Sequence, residues 1–481
     1  MFLVFYYTVF NARINIIKMP YKGEIMKNIV VIGGGPAGYP AALKAASLGA
    51  KVTLVEKNKV GGVCLNCGCI PSKSLLDAAH RFHTVKTISS LCADGAQEQA
   101  DKLFSLLDWG KIQARQRAAT RKLTQGVSFL LKKAGVEVIN GEASFVNEHT
   151  VNVKKADGTE QQLEADGIIL AAGSEAFFPV PFDQIKDKIY DNSTIFDMPH
   201  LPKELVIVGG GVIGCEMADF MNELGVKVTI VEMQPRLLPL EDEGAARVLT
   251  QAFGKRGIKL CTGTSATGIT YENGVYTLTL SNGQTLTADA VLAAIGRSVN
   301  LSALKMENIG VTWTRKGVQV NPQTLQLKGN VYAVGDVNGL FQLAHAASRQ
   351  GEVAASNLCG VPAVYHNESV PRAIYTSPEI ASVGLTRAQA EAKGLPVKTH
   401  KAFLLANGRA VAQDQTEGYY ELISNAQTGE LLGGVFAGAH AAELIHAVSV
   451  ALAAKMTVAQ LKEVIFAHPT FAESIGEALN R

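Results

Sequence analysis

Two segments of equal length repeat one pattern of glycines and apolar residues, and this repeat constrains the fold more than any other feature. The apolar runs 28–32 and 205–208 lead into the glycine-rich turns 33–38 and 209–214, and a second apolar run in each segment ends on Glu56 or Glu232. Each segment predicts a strand, a tight turn, a helix and a second strand. Because equal spans make coincidence improbable, the sequence predicts an α/β fold with two Rossmann-like dinucleotide-binding domains.

The residue types in both repeats suit a dinucleotide. Glycines permit the tight turn and the close approach of a pyrophosphate to a helix N-terminus, and the acid can accept from ribose hydroxyls. Glu232 favours a free 2′-hydroxyl and hence NAD(H), with Arg236 the one residue that argues against this choice. The candidate binding residues are Gly33, Gly35, Pro36, Ala37, Gly38 and Glu56 in the first repeat, and Gly209, Gly211, Val212, Ile213, Gly214 and Glu232 in the second.

Residues 60–73 follow the first repeat and place Cys64 and Cys69 five positions apart. A regular helix would point these sulfurs in different directions, so a bridge between them requires an irregular turn, which nearby glycines such as Gly68 allow. Pro71 suits the first turn of a helix starting nearby, and Cys69 would then lie at a helix N-terminus, where the pKa of a thiol is lowered. The pattern favours a redox-active pair beside a cofactor. The alternatives are a structural bridge and half of a zinc site, for which no partner Cys/His pair follows downstream.

Two further places carry candidate chemistry. His468 precedes a proline, and Glu473 is placed to accept from one ring nitrogen and fix the tautomer, which predicts a general base. A histidine satisfied by the core is the alternative. Asp336 ends the apolar run 331–336, where its carboxylate could hold a ribityl hydroxyl or simply form a turn.

For the rest of the chain, the sequence predicts only the approximate positions of helices and strands. Residues 75–133 are predicted to be mostly helical, with 87–110 looping out, and strands are expected at 136–139, 150–154 and 167–171. The alternation over 264–295 predicts a meander. A strand-rich section from about 353 to 437 is followed by helices.

Composition excludes several function classes. Only 18% of residues are charged and the net charge is +2, which gives no case for nucleic acid or an acidic membrane surface as a partner. No run of 18 apolar residues predicts a membrane span. Four of the seven cysteines are scattered through ordinary segments, as expected in a reducing compartment such as the cytoplasm. Residues 1–25 lack the architecture of a secretory signal, and we expect a disordered extension or an upstream start codon.

Taken together, the two repeats, Cys64-Leu-Asn-Cys-Gly-Cys69-Ile-Pro-Ser-Lys73, Gly335-Asp336 and His468-Pro-Thr-Phe-Ala-Glu473 resemble the pyridine nucleotide–disulfide oxidoreductases from about residue 27 to the end. The resemblance implies an FAD-binding domain over 26–174, an NAD-binding domain over 175–296 and a central domain over 297–352 that completes the FAD site. An α+β interface domain over 353–481 would pair two subunits into a homodimer. No metal is implied.

The resemblance also assigns residue roles. It implies a catalytic set of Cys64, Cys69, Lys73, Glu216, His468 and Glu473, with Lys73 and Glu216 paired beside the flavin. His468 and Glu473 would face the disulfide of the other subunit. It further implies FAD contacts at Lys57, Gly62, Val63, Ala143, Ala172, Gly173, Ser174, Arg297, Gly335, Asp336, Leu343, Ala344 and His345, and an NAD(H) contact at Gly296.

Within the family, 372–384 and 437–445 favour oxidation of dihydrolipoamide, free or on a lipoyl-bearing protein. The substrate thiolate would attack Cys64 and release Cys69, which passes electrons through FAD to NAD⁺. A reductase of glutathione or of another small disulfide, and a flavoprotein kept mainly for docking in a multienzyme complex, are the alternatives. Cys67 departs from the family pattern, since an aliphatic residue is usual there, and we expect it to pack as a small hydrophobe rather than to pair with Cys64 or Cys69.

Overall fold

The computed structural model describes residues 26–480, so the expectation for residues 1–25 lies outside the described part of the chain. The strands are β1 Asn28–Ile32, β2 Lys51–Glu56, β3 Glu137–Asn140, β4 Glu142–Asn147, β5 Thr150–Lys154, β6 Glu160–Glu164, β7 Gly167–Leu170, β8 Glu175–Ala176, β9 Glu204–Val208, β10 Lys227–Glu232, β11 Lys259–Thr262, β12 Ala266–Glu272, β13 Val275–Leu280, β14 Thr285–Ala288, β15 Ala290–Ala293, β16 Arg297–Ser298, β17 Gln326–Lys328, β18 Val331–Ala333, β19 Arg372–Ile374, β20 Ile380–Gly384, β21 Val397–Phe403, β22 Tyr419–Asn425 and β23 Leu431–Ala437. The helices are α1 Gly38–Ser47, α2 Gly62–Cys67, α3 Cys69–Ile88, α4 Ala96–Ser105, α5 Trp109–Lys133, α6 Val212–Glu223, α7 Glu243–Lys255, α8 Ala344–Leu358, α9 Arg387–Ala392, α10 Gly408–Ala412, α11 Ala441–Ala453, α12 Val458–Lys462 and α13 Glu473–Leu479.

The described residues form two compact units, each assembled from separate stretches of the chain. The first unit comprises residues 26–66, 121–175 and 298–367, and the second comprises 67–120, 176–297 and 368–480. The domain boundaries expected from the sequence remain a prediction.

The first unit is built on a six-stranded sheet with the strand order β17-β18-β7-β1-β2-β3. Its central strand β1 pairs in parallel with β2 and with β7, as a βαβ unit requires. The predicted strand that closes on Asp336 ends at Ala333 as β18, and it pairs in parallel with β7. Strands β4, β5 and β6 form a separate antiparallel sheet in the same unit. The central strands β1 and β7 are largely apolar and buried on both faces, as expected where a parallel sheet is covered on both sides.

The second repeat forms the corresponding sheet of the second unit. Strands β9 and β10 pair in parallel, and the order across this sheet is β11-β10-β9-β15. The meander expected over 264–295 is confirmed for β12, β13 and β14, which are consecutive antiparallel strands, but not for β15, which pairs in parallel with β9. Its alternating pattern places Tyr276, Leu278 and Leu280 in the core.

The C-terminal part of the second unit is an antiparallel sheet in the order β19-β20-β23-β22-β21, followed by α11, α12 and α13. The order of strands first and helices afterwards agrees with the sequence pattern. Tyr420 and Phe436 stack across β22 and β23 with ring centroids 4.2 Å apart, and Ile445 and Ile475 bring α11 and α13 into the same core.

One expectation is wrong in part. Residues 87–110 do not simply loop out, because they contain α4. This helix is amphipathic, and Phe104 packs edge-on against Phe82 of α3 with centroids 6.0 Å apart. Among residues 26–480, no helix combines the length and the apolar character needed to cross a membrane.

Candidate active site

The turn of the first repeat is packed too closely for any residue but glycine at two positions. Gly33 has φ of +101°, and a Cβ added there would lie 2.3 Å from the carbonyl oxygen of Ala171. A Cβ on Gly38 would lie 1.8 Å from the carbonyl oxygen of Gly33. These contacts press α1 against β1 and β7, and they leave the N-terminus of α1 open to a ligand's pyrophosphate.

Glu56 closes this turn from the end of β2. The backbone N–H of Gly34 donates to Oε2 of Glu56 at 2.6 Å, and that of Asn58 donates to Oε1 at 2.7 Å. Each carboxylate oxygen retains a lone pair for a ribose hydroxyl. The donor and acceptor set therefore fits a dinucleotide.

Three of the other predicted flavin contacts of the first unit lie together, and one of them, Gly335, lies close to the same turn. The hydroxyl of Ser174 donates to Oδ2 of Asp336 at 2.5 Å. Gly335 has φ of +78°, and a Cβ added to it would lie 3.0 Å from the Cβ of Ala37 in the turn 33–38. Leu343 is the N-cap residue of α8, Ala344 and His345 begin this helix, and Ala143 lies buried in β4.

The second repeat reproduces the geometry of the first. Gly209 has φ of +109°, with a hypothetical Cβ 2.2 Å from the carbonyl oxygen of Ala294. Glu232 accepts from the N–H of Gly210 at 2.6 Å and from the N–H of Gln234 at 2.7 Å. The second turn therefore also fits a dinucleotide, with the acid where a ribose would lie.

Arg236 does not offer its charge to that ribose. Its guanidinium donates to the carbonyl oxygens of Leu238, Pro239 and Glu241 at 2.7, 3.0 and 2.9 Å, all within its own loop. Because its guanidinium donors are engaged there, Arg236 does not disfavour NAD(H).

The cysteine segment has the helix break that the sequence predicts. Helix α2 carries Cys64 and ends at Cys67, Gly68 has non-helical backbone angles, and α3 begins at Cys69. Gly62 at the start of α2 lies against the turn 33–38, since an added Cβ would be 2.7 Å from Cα of Gly35. Cys64 thus sits on a helix that starts at the first dinucleotide turn, and Cys69 lies at a helix N-terminus, where a thiolate is favoured.

Cys67 has a different environment. It packs partly buried against the apolar core of the second unit, with Ser193 near its thiol. Burial raises the pKa of the Cys67 thiol. This surrounding agrees with the expectation that Cys67 packs as a small hydrophobe.

Lys73 and Glu216 are brought together by the packing of α3 on α6. Nζ of Lys73 lies 2.8 Å from Oε2 and 3.0 Å from Oε1 of Glu216, and Glu216 is buried. The N–H of Tyr375 donates to Oε1 at 3.1 Å, and Nζ of Lys73 lies 4.4 Å from the centre of the Tyr375 ring. The lysine is therefore held by a carboxylate and by an aromatic face.

His468 and Glu473 meet as the spacing predicts. Nδ1 of His468 lies 2.9 Å from Oε1 of Glu473, and the N–H of Thr470 donates to Oε2 at 2.8 Å. The Thr470 amide, followed by His468, lowers the pKa of the Glu473 carboxyl. The side chain of His468 is 79% exposed, so its Nε2 is available to a group outside this chain.

Three contributors to these sites were missed by the sequence argument. Tyr39 on α1 has a raised pKa because of burial and because of the charge of Cys64. Tyr375 supports Lys73 and Glu216, and buried Gln350 accepts from the N–H of Gly335 at 2.8 Å and so fixes the turn that precedes Asp336. No local pattern marks these residues, since each acts through a tertiary contact.

Gly296 and Arg297, which the sequence predicts as cofactor contacts, are placed in the second unit, where Arg297 donates to Asn192 at 3.0 Å.

Comparisons with known proteins agree with this geometry. The pyridine nucleotide-disulphide oxidoreductase family model matches residues 27–351, and the dimerisation domain of the same family matches residues 370–479. A dihydrolipoyl dehydrogenase of Bacillus subtilis is 39% identical over 94% of this chain and 97% of its own length. That of Geobacillus stearothermophilus is 36% identical over 93% of this chain and 94% of its own.

Solved structures show the same fold. LpdA of Mycobacterium tuberculosis superposes with a TM-score of 0.88 at 29% identity, covering 95% of this chain and 99% of that one. The HOCl-induced flavoprotein disulfide reductase RclA of Escherichia coli gives 0.81 at 26% identity, covering 94% and 98%. This chain has two glycine-rich dinucleotide turns and a cysteine pair, and the family models match most of its length. It therefore belongs to the pyridine nucleotide-disulphide oxidoreductases.

Proposed function

We propose that the protein oxidises dihydrolipoyl groups to lipoyl groups and reduces NAD⁺, using FAD and a Cys64–Cys69 disulfide. The observation that carries this proposal is that one chain joins two acid-terminated dinucleotide turns to a cysteine pair whose first helix begins against the first turn. Similarity to several dihydrolipoyl dehydrogenases over almost the whole chain supports the choice of substrate.

The residues that would hold FAD are the turn 33–38, Glu56, Ser174 and Asp336, and NAD(H) would lie on the turn 209–214 with Glu232 at its ribose. FAD, when bound, supplies a two-electron acceptor between the dithiol and the nicotinamide. The free carboxylate lone pairs and the glycine-lined turns are the features of this chain that fit both groups.

The protein's own groups account for the thiol chemistry. Glu473 accepts from Nδ1 of His468 and leaves Nε2 to take the proton of a substrate thiol. The substrate thiolate attacks Sγ of Cys64, the Cys64–Cys69 bond breaks, and Cys69 leaves as the thiolate. The second substrate thiol then displaces Cys64, which gives the oxidised substrate and a reduced cysteine pair.

Lys73, held by Glu216, would stabilise negative charge that develops at the reacting centre. A buried glutamate holds and orients Lys73, and the lysine can stabilise negative charge that develops beside it. Tyr375 limits the movement of Nζ through its ring.

We further propose a homodimer in which His468 serves the cysteine pair of the other subunit. The second unit exposes large apolar residues, with Ile465 96%, Leu405 72% and Val450 68% exposed, and this is the surface of a protein that associates. The family's dimerisation domain covers these residues. The lipoyl group would arrive on a partner protein or as a free substrate, in the cytoplasm.

The test is NAD⁺ reduction by dihydrolipoamide, run beside NADH- and NADPH-driven reduction of lipoamide and of oxidised glutathione. We expect NAD⁺ reduction that is lost in Cys64→Ser and falls at least 100-fold in His468→Ala, while both variants retain FAD by absorbance. His149→Ala removes an exposed histidine of the first unit and serves as the control.

Turnover of glutathione with NADPH alone would overturn both the substrate and the role given to Glu232. Unchanged turnover in His468→Ala would remove the assignment of the base. If FAD binds and no substrate reacts, the protein acts on a different disulfide.

A further inference from the structure

The interface between α3 and α6 carries a second charged cluster beyond the Lys73–Glu216 pair. Two turns further along α3, Nε2 of His80 lies 3.5 Å from Oε2 of Glu223 and 3.8 Å from Oδ2 of Asp219. Nη1 of Arg256, just after α7, lies 2.5 Å from Oδ1 of Asp219 and 3.6 Å from Oε1 of Glu223. Neither the established family chemistry nor the sequence motifs use these residues.

The charges along this interface do not balance without a proton. Glu216, Asp219 and Glu223 form a stripe of three carboxylates on α6, and their residues are only 4, 0 and 5% exposed. Lys73 and Arg256 are the two permanent cations that pair with them. An unpaired buried carboxylate is costly, so the third positive charge must be a proton on His80 or on Glu223.

The side chains are placed to share that proton. Oε2 of Glu223 accepts no hydrogen bond from residues 26–480, although it faces His80. Burial, followed by the charge of Asp219, raises the pKa of Glu223 to about 7, and the neighbouring carboxylate of Asp219 raises the pKa of His80. The side chain of His80 is 45% exposed, which gives the proton a route to solvent. Among residues 26–480, His83 on α3 and Glu379, just before β20, are further titratable groups that interact electrostatically with the cluster.

The cluster is connected to the Lys73–Glu216 pair through one short turn. The N–H of Ser377 donates to Oδ2 of Asp219 at 2.9 Å, and Nη2 of Arg256 donates to the carbonyl of Ser377 at 2.8 Å. Two residues earlier, the N–H of Tyr375 donates to Glu216. The same stripe of carboxylates therefore holds both ends of the turn 375–377.

Resting on the function proposed above, we propose that His80, Asp219, Glu223 and Arg256 form a proton-dependent positioning cluster for the Lys73–Glu216 pair. With the proton present, Arg256 remains on Asp219 and Ser377. When the proton is lost to solvent, two ionised carboxylates compete for Arg256, which shifts toward Glu223 and loosens its hold on Ser377. The turn then releases Tyr375, and Lys73 loses its fixed position.

The experiment uses the FAD-loaded holoenzyme without substrate and follows flavin fluorescence and the ring carbons of labelled histidines between pH 5.5 and about 9, a range that brackets ordinary histidine titration. The His80 resonance is the one that disappears in His80→Gln. In the wild type we expect one flavin inflection near neutral pH that coincides with the His80 midpoint. Glu223→Gln should hold the flavin signal at its low-pH value and lower the His80 midpoint by about one unit or more.

Glu243→Gln is the matched control, because Glu243 is an exposed glutamate at the start of α7 and should leave both titrations unchanged. A flavin inflection that persists in Glu223→Gln would overturn the proposal, as would a flavin signal that stays flat in the wild type while His80 titrates. Movement of the wild-type inflection by EDTA would show a bound metal ion in place of the proton and would also overturn it. Since no substrate is present, a wrong substrate assignment cannot produce any of these results.

Discussion

At the residue scale, three cysteines within six positions have different surroundings. Cys64 and Cys69 lie on either side of the break at Gly68, whereas Cys67 turns into the apolar core of the second unit. The raised pKa of Cys67 keeps it a thiol at neutral pH, and a thiol is a poor nucleophile. The third cysteine thus differs from the proposed redox pair in its environment.

We therefore expect Cys67→Ala to retain dihydrolipoamide oxidation within about twofold, with a small loss of thermal stability from the lost packing. Steady-state turnover and a melting curve measure the two effects, and Cys64→Ser is the inactive reference. A loss of turnover comparable to that of Cys64→Ser would assign Cys67 to the redox chemistry.

A second residue-scale prediction concerns the choice of nicotinamide cofactor. Arg236→Met should leave the preference for NAD⁺ over NADP⁺ unchanged, because its guanidinium is held by carbonyl groups of its own loop. Glu232→Ala should weaken the preference, since the acceptor for the 2′-hydroxyl is removed. The ratio of kcat/KM for the two cofactors checks both variants, and a change of preference in Arg236→Met would contradict this account.

At the scale of elements, the two βαβ units both require a glycine that packs closely against a neighbouring strand. Gly33 and Gly209 both have positive φ, and each faces a carbonyl oxygen at the end of a neighbouring parallel strand. The sequence repeat thus reflects a repeated packing requirement as well as a repeated ligand.

Gly33→Ala should abolish FAD retention, whereas Gly209→Ala should keep FAD and raise the KM for NAD⁺ at least about tenfold, because each Cβ would displace one turn. Flavin absorbance after gel filtration and NAD⁺ kinetics separate the two effects. Gly254→Ala, in α7 with open space around its added Cβ, is the control. Loss of FAD from Gly209→Ala would show that the second turn does not act independently.

The proton on Glu223 in the α3–α6 interface makes the free energy of unfolding depend on pH. The folded-state pKa of Glu223, about 7, lies above its ordinary value of 4.5. The folded protein therefore binds this proton more tightly than the unfolded chain does. The stabilisation is fully present below the ordinary pKa and is lost as the pH rises through about 7.

Glu223→Gln, a neutral isostere, should match the wild type in Tm at about pH 4, below the ordinary pKa of this carboxyl, and exceed it at pH 8, by about 2–4 °C for each kcal/mol regained. Differential scanning fluorimetry across pH checks this expectation. Glu391→Gln, an exposed glutamate on α9, should follow the wild type at every pH. Equal pH dependence in Glu223→Gln and the wild type would refute the linkage.

At the scale of the whole molecule, the exposed His468 and the exposed apolar residues of the second unit belong to one proposal, that of a shared active site. If the base acts across the dimer, a heterodimer of Cys64→Ser and His468→Ala subunits contains one intact site and one doubly altered site. Neither parent homodimer contains an intact site.

Coexpression of the two variants should therefore restore about one quarter of wild-type activity when subunits pair at random, and about one half in purified heterodimers. Two affinity tags isolate the heterodimer for the assay. Coexpression of Cys64→Ser with Glu473→Gln is expected to recover activity in the same way. An inactive heterodimer would show that His468 serves its own chain.

Much of this molecule was determined by the sequence alone, because the deciding features are local. The glycine spacing and the acid at the end of each second strand act within a single βαβ unit, and the break at Gly68 and the five-residue separation of His468 and Glu473 act over a few residues. The structure places each as expected. The strands β4 and β6 and the helix α4 were missed, since short polar strands and a polar helix give weak periodic signals.

Only the tertiary structure decided which residues support the reactive ones. Tyr375 beneath Lys73, Gln350 behind Gly335 and Arg256 between Asp219 and Glu223 are each brought in from more than ten positions away along the chain. Their roles depend on burial and on charge balance across packed helices, and neither quantity is carried by residue type or spacing. The local sequence thus determined the reacting groups, and packing determined what holds them and at which pH they are held.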